Sequence, residues 1–302
     1  MIGFVFILLT YFLLYVKPLY SKLTWTSVNI CHTIQGDAHV ISKNDTHFLI
    51  DTGTHREAPL YLVPFLKKHH IHTIEAILIT HPHFDHYGGV VDILEANITV
   101  KKIYMNMPTK EQMHKEWWGG EYKHLITIQK SAKKYHTELL PITQGLKLSF
   151  DSHSYIDVLY IYDGIHTPIG KTSINDMSAV TMLVDGKNKF MLTGDLDKDI
   201  GKYLADHSKK LEADMLKVPH HGATTLAPHS FFKVVHPKEI IVTAPQALWC
   251  SQRCKDIRDF AKKEHYQTYV NGFNGDITVT SYNNKYIITT EKSPKELCKE
   301  GQ

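Results

Sequence analysis

The chain has 302 residues, 43% hydrophobic and 22% charged, which is enough to bury a substantial core as one large domain or two small ones. Its composition is ordinary for a globular protein, and a net charge of +3 is mild. The lysine pairs Lys101-Lys102, Lys133-Lys134, Lys209-Lys210 and Lys262-Lys263 are spread along the chain, which argues against a concentrated nucleic-acid track and leaves a polyanionic substrate open.

Residues 2–16 are almost wholly apolar and aromatic, interrupted by Thr10 and followed by Lys17, Pro18 and Lys22. That run is shorter than the roughly 20 residues of a bilayer span, but residues 18–23 extend it at the interface. It has the length of a signal-peptide core without the basic start or an A-x-A-like cleavage site. Membrane targeting of residues 1–23 is expected, as an uncleaved anchor or atypical signal, with a buried first helix as the alternative. Residues 24–302 then form a single domain, membrane-anchored or secreted and extracytoplasmic. The lysines that follow the segment would instead favour a cytoplasmic body.

Along the body, residues 26–34, 38–43 and 47–51 read as strands, with a turn at Gly36-Asp37 and a break at Thr52-Gly53. Residues 58–70 read as a helix, 76–80 as a strand, 88–96 as a helix and 100–105 as a strand. Residues 111–135 form a long, polar, helix-prone stretch interrupted at Gly119-Gly120. Strands at 179–184 and 189–193 are joined by Asp185-Gly186, a hairpin signal. A helix at 197–207, strands at 215–218 and 239–243, a helix at 251–265 and strands at 277–281 and 286–290 complete the chain. Strands outnumber helices in each half and no low-complexity linker divides them, so the expected class is α+β, two sheets face to face with helices outside. Of Cys31, Cys250, Cys254 and Cys298, the 250/254 pair is four apart; a disulfide between them and two buried thiols are both open.

The chemistry concentrates in Thr80-His81-Pro82-His83-Phe84-Asp85-His86-Tyr87-Gly88-Gly89, directly after an apolar strand. Imidazole nitrogen and carboxylate oxygen are ligands for divalent transition metals, and catalytic sites keep a position open for water. Other strand ends carry matching residues: Asp51, Asp195, and the pair His220-His221. Each alone would be a turn former or helix cap, but together they repeat one design, a strand that stops and presents a metal-type ligand.

The motif His81-x-His83-x-Asp85-His86 resembles the H-x-H-x-D-H signature of the metallo-β-lactamase superfamily. Five further stretches resemble its ComEC-like hydrolase domains: 34–38 (I-Q-G-D-A), 175–178 (N-D-M-S), 192–195 (L-T-G-D), 217–222 (K-V-P-H-H-G) and 274–278 (N-G-D-I-T). The likeness runs from about residue 26 to 288. It implies a four-layer αββα sandwich holding two metals, usually Zn and sometimes Mn. His81 and His83 would bind one metal, Asp85 and His86 the second, and Asp195 would bridge. His220 or His221 would complete the second site, its neighbour facing substrate. Asp51 would orient a ligand or hold the water. The wider superfamily has a histidine where this chain has Asn175-Asp176-Met177-Ser178, which implies a first metal held more weakly or completed by an amide, a hydroxyl or water.

A metal pair lowers the pKa of bound water from about 15.7 toward about 7, which makes hydroxide available at neutral pH. The expected reaction is hydrolysis of a phosphodiester, with Asp85 or Asp51 handling the proton and single-stranded DNA among the substrates. Hydrolysis of a small lactam, lactone or thioester, and a non-catalytic metal-binding domain, are the alternatives. Trp117, Trp118, Tyr122, His124 and Lys133-Lys134 form either an aromatic and basic rim for bases or the packed face of an outer helix.

Overall fold

A computed structural model describes residues 21–162, 167–169, 173–294 and 297–298. The expected leader, residues 1–20, lies outside them, and among the described residues no helix is long and apolar enough to cross a membrane. The first half supplies strands β1 (Leu23–Ser27), β2 (Ala38–Lys43), β3 (Thr46–Thr52), β4 (Thr73–Leu78), β5 (Thr99–Tyr104) and β6 (Glu138–Leu140). Between them lie helices α1 (Val63–Lys68), α2 (Phe84–Tyr87), α3 (Val90–Glu95), α4 (Lys110–Lys115) and α5 (Tyr122–Lys134). The second half supplies β7 (Lys147–Ser149), β8 (Ser154–Tyr160), β9 (Val180–Asp185), β10 (Asn188–Leu192), β11 (Met215–Lys217), β12 (Glu239–Val242), β13 (Gln267–Val270), β14 (Ile277–Tyr282) and β15 (Lys285–Thr290). Its helices are α6 (Lys198–His207), α7 (His229–Val235), α8 (Gln246–Trp249), α9 (Lys255–Lys263) and α10 (Asn271–Asn274).

One sheet has the order β15-β14-β1-β2-β3-β4-β5-β6, the other β13-β12-β11-β10-β9-β8-β7. Each changes from antiparallel to parallel pairing part-way, at β3 and at β10. Period-two side-chain alternation explains the layers. Phe48 and Ile50 of β3 face the core between the sheets while Leu49 faces the helices, and Ala76 and Leu78 of β4 alternate with Ile77. On the other sheet Met215 and Ile241 point inward, and Leu216, Ile240 and Val242 point to the outer helices. Two sheets back to back, each covered by helices, is the αββα sandwich.

Some boundaries moved for local reasons. The strand expected over residues 26–34 ends at Ser27, because side chains take over the backbone bonds: Asp276 Oδ1 accepts from Asn29 N (2.7 Å) and Asn29 Oδ1 from Cys31 N (3.3 Å). The helix expected over 58–70 opens as a π-turn, Ala58–Leu62, where Pro64 has no N–H to donate to a regular α-ladder. Neither alternative left open for Cys250 and Cys254 holds: Cys250 pairs with Cys298, while Cys254 and Cys31 are buried free thiols. Cys254 is buried in the hydrophobic core with Ile257 and Phe260 of α9.

Candidate metal centre

The parallel strands of both sheets end at one edge of the sandwich, and their terminal residues meet there. Asp51 closes β3 with φ +59°, a left-handed conformation that Asp tolerates. This turns its carboxylate onto the histidine loop, where it accepts from Thr80 N (2.7 Å), Thr80 Oγ1 (2.7 Å) and His86 Nδ1 (2.8 Å). A bond at Nδ1 leaves His86 Nε2 free to face the site, the usual way an imidazole ligand is oriented. His221 is held the same way: its Nδ1 lies 3.0 Å from both the carbonyl and the hydroxyl oxygen of Thr243. His220 and His221 both have positive φ, 49° and 53°, a strained pair at a functional turn.

Four groups converge. His86 Nε2 is 3.3 Å from Asp195 Oδ1, and His221 Nε2 is 3.3 Å from Asp195 Oδ2 and 3.5 Å from Asp85 Oδ2. Asp85, His86, Asp195 and His221 are all buried, with one ligand atom from each within 4.8 Å of the others. On the other side of Asp195, His81 Nε2 lies 4.0 Å from Oδ2 and 3.1 Å from His83 Nδ1. The fit of a metal is tested by satisfaction: His86 Nε2, His221 Nε2 and Asp195 Oδ1 are buried and make no hydrogen bond. Leaving such atoms unpaired is costly, and a divalent cation would satisfy all three at once. Electrostatics agree. Burial alone would raise the Asp195 pKa, but His221 and His86 hold it well below the usual carboxylate range. Burial would likewise lower His86 and His221, yet Asp195 beside them raises both well above an ordinary imidazole. His81 goes the other way, pushed well down by burial and by His86 and His83.

Residues 33–166 match the Metallo-beta-lactamase superfamily model. The chain carries a metallo-β-lactamase superfamily domain. It is 29% identical over 246 residues to Recombination protein 2 of Haemophilus influenzae, covering 80% of this chain and 27% of that protein. It is 24% identical over 192 residues to ComE operon protein 3 of Bacillus subtilis, covering 61% and 21%. The chain thus spans about a quarter of the length of these curated relatives. Among solved structures, the metallo-beta-lactamase fold protein YhfI from Bacillus subtilis superposes with a TM-score of 0.56 at 15% identity, covering 86% of this chain and all of that one. By its superfamily the domain is a metallo-hydrolase.

In this metallo-β-lactamase domain the remaining motif residues serve as supports. Ser178 Oγ accepts from Asp195 N (2.9 Å), which fixes the backbone that carries the Asp195 carboxylate. Gly194, with φ +51°, presses so close that a Cβ would lie 2.7 Å from Thr80 Oγ1. Asn175 lines the cavity with its Oδ1 buried and unpartnered. His220 Nε2 is 4.0 Å from Asp195 Oδ2, its Nδ1 is 3.1 Å from Thr225 Oγ1, and its ring borders the cavity. Both rings are held at Nδ1, but His221 is the more deeply buried and brings its Nε2 to 3.3 Å from Asp195 Oδ2 and 3.5 Å from Asp85 Oδ2, a closer fit to a ligand position than that of His220. Asp51 is fully buried and both its oxygens are engaged, so it orients His86 and does not reach the cavity to handle a proton.

Three residues of the site carry no motif role of their own. Asp37 falls in the turn expected at Gly36-Asp37 and Lys217 in an apolar strand, but they form a fully buried ion pair behind the metal site. Asp37 also accepts from Thr243 Oγ1 (2.5 Å) and lies 3.4 Å from His221 Nδ1, and Lys217 Nζ donates to Gly194 O (2.9 Å). A lone charged residue in an otherwise apolar strand was the available signal. Asp37, Asp51 and His86 also cluster, but Lys217 and Thr80 already satisfy those carboxylates. Glu116 has one oxygen 3.6 Å from His83 Nε2 and the other accepting from Ile174 N (2.9 Å); nothing in its sequence spacing marked it. Of the aromatics nearby, Trp117 and Trp118 are 73% and 59% exposed, which removes the packed-face alternative for them, and Trp118 borders the cavity. Tyr122 packs on the core, while Lys133 and Lys134 are exposed at the far end of α5.

Proposed function

We propose that the domain hydrolyses phosphodiester bonds, with single-stranded DNA as the expected substrate class and zinc, or manganese, as its metal. The observation that carries this reading is the cavity of about 550 Å³ onto which the ligand set opens. Its other walls present groups suited to an anion, the Gln35 amide, the Thr225 hydroxyl, His220 and Arg253, while the Ser173 hydroxyl donates to Asp197 Oδ2 (2.8 Å). The name of the Haemophilus relative, Recombination protein 2, supports a nucleic-acid substrate. Metal bound by these residues supplies Lewis acidity and a water acidic enough to react at neutral pH.

The chain's own residues do the rest. His81, His83, Asp85, His86, Asp195 and His221 would hold the metals, and Asn175 would offer its buried, unpartnered Oδ1 to the less complete first site. Asp85 borders the cavity within 3.4 Å of Gln35 Nε2, placed to take the proton of the attacking water. His220, braced by Thr225, is placed to give a proton to the leaving oxygen. Trp118 offers a face for a base at the mouth.

The Cys250–Cys298 disulfide and the apolar leader together support an extracytoplasmic domain, anchored or secreted. Membrane fractionation of the chain with and without residues 1–20 tests that placement; recovery of the full chain in the soluble cytoplasmic fraction contradicts it. For the reaction, the metal-reconstituted domain is assayed on single-stranded DNA, bis(p-nitrophenyl) phosphate and a chromogenic lactam. Turnover of the first two supports the proposal, and turnover of the lactam alone overturns it.

A further inference from the structure

Beside the catalytic cavity lies a second one, of about 500 Å³, and the two share Thr225 and Arg253. Its floor is apolar, made by Leu226, Ala227 and Pro228, and its rim carries Lys198 and Arg253. Neither cation is in an ion pair among the described residues. The carboxylate on that rim, Asp256, is engaged 2.9 Å from His229 Nε2. An apolar floor under two unpaired cations, continuous with a hydrolytic cavity, suits one unit of a polyanionic chain: a flat ring on the floor and its phosphate on the rim.

The walls are built rather than incidental. Arg253 sits on a 3-10 turn whose N–H is accepted by Ser251 Oγ (3.2 Å), and Arg258 Nη1 donates to the carbonyls of Ser251 (2.7 Å) and Trp249. The Cys250–Cys298 disulfide pins the same segment. The floor is tied to the strand end that carries the bridging carboxylate: Ala227 N donates to Leu196 O (3.0 Å), and Leu226 bridges Asp197. Ala227 also packs so tightly on α6 that a Cβ at Gly201 would lie 2.5 Å from its own. The second cavity is therefore rigidly registered to Asp195.

We infer that this cavity is a subsite for the nucleotide flanking the scissile phosphodiester of a single-stranded nucleic acid, with its ring on Leu226–Pro228 and its phosphate on Arg253 and Lys198. The inference rests on the phosphodiester reading and deepens it, since a small ester would fill the first cavity and leave the second unvisited.

The test uses the zinc-loaded protein and a fluorescein-labelled phosphorothioate oligothymidylate, which resists hydrolysis, read by fluorescence anisotropy. Lys198→Glu and Leu226→Glu are each expected to weaken binding by at least about tenfold. In both variants kcat/KM on bis(p-nitrophenyl) phosphate stays within about twofold of the parent, because that substrate does not extend into the second cavity. Lys198 is exposed at the start of α6, so its variant folds even if the half-buried Leu226 change does not. Parent-like oligonucleotide binding by Lys198→Glu, equal losses on both substrates, or no binding by the parent overturns the subsite. Intact, variant-sensitive binding without hydrolysis of either phosphodiester supports the subsite and overturns only the reaction.

Discussion

Replacing Lys217 by methionine keeps most of the side-chain volume but removes the ammonium group that faces Asp37 inside the sandwich. Burial would raise the Asp37 pKa; Lys217, then His221, hold it well below the usual carboxylate range, so removing the lysine takes away the largest influence that opposes burial. Removing one partner of a buried pair costs about 3–5 kcal/mol, because the other charge is left uncompensated. Here Asp37 keeps the Thr243 hydroxyl at 2.5 Å and the ring nitrogens of His221 and His86 at 3.4 and 3.8 Å. That places the expected loss at the low end, about 3 kcal/mol. At roughly 2–4 °C per kcal/mol for a domain of this size, Tm falls by about 6–12 °C. The assay is thermal unfolding by circular dichroism with a chelator present, so that metal binding does not enter. Adding Asp37→Asn to Lys217→Met removes the stranded charge and recovers at least half of the loss. A Lys217→Met protein within about 1 kcal/mol of the parent, or a double variant no better than the single, refutes the reasoning.

Other outcomes follow from the same site. Asp51→Asn frees His86 to rotate and should weaken metal binding or activity by about 10–100-fold, checked by zinc titration; an unchanged affinity contradicts the orienting role. Gly119→Ala would put a Cβ 2.1 Å from His83 Cδ2, so the ring must move and zinc bound per chain should fall while the far-ultraviolet spectrum holds. Metal uptake should release protons: Asp195 holds His86 and His221 protonated against burial in the metal-free protein, and ligands must be neutral. Zinc affinity therefore falls as pH falls, and indicator-dye titration in weak buffer that finds no proton release on loading contradicts this.

The sandwich was legible because short continuous apolar runs at β3, β4 and β12 mark strands covered on both faces, and because breaks such as Thr52-Gly53 mark their ends. Strands β6 to β8 and β13 were missed: they are short, or mix exposed and buried residues without a run long enough to register. The candidate ligands were legible because His81, His83, Asp85 and His86 crowd one loop and the others sit at strand ends. What lay behind them was not. Asp37 and Lys217 are 180 residues apart and meet only because the two sheets stack, and Glu116 reaches His83 from a helical insertion whose sequence is simply polar. The choice between His220 and His221 needed the backbone, since both are left-handed and only one has its Nδ1 held by Thr243.

The central claim is that Asp195 joins two metal-holding histidine sets into one hydrolytic centre. The most direct measurement pairs metal content per chain with hydrolysis of bis(p-nitrophenyl) phosphate for the parent and for Asp195→Asn, which preserves the side-chain shape. The account predicts two ions and turnover for the parent, and for the variant at most one ion and no turnover above background. Full activity or undiminished metal content in Asp195→Asn would contradict it.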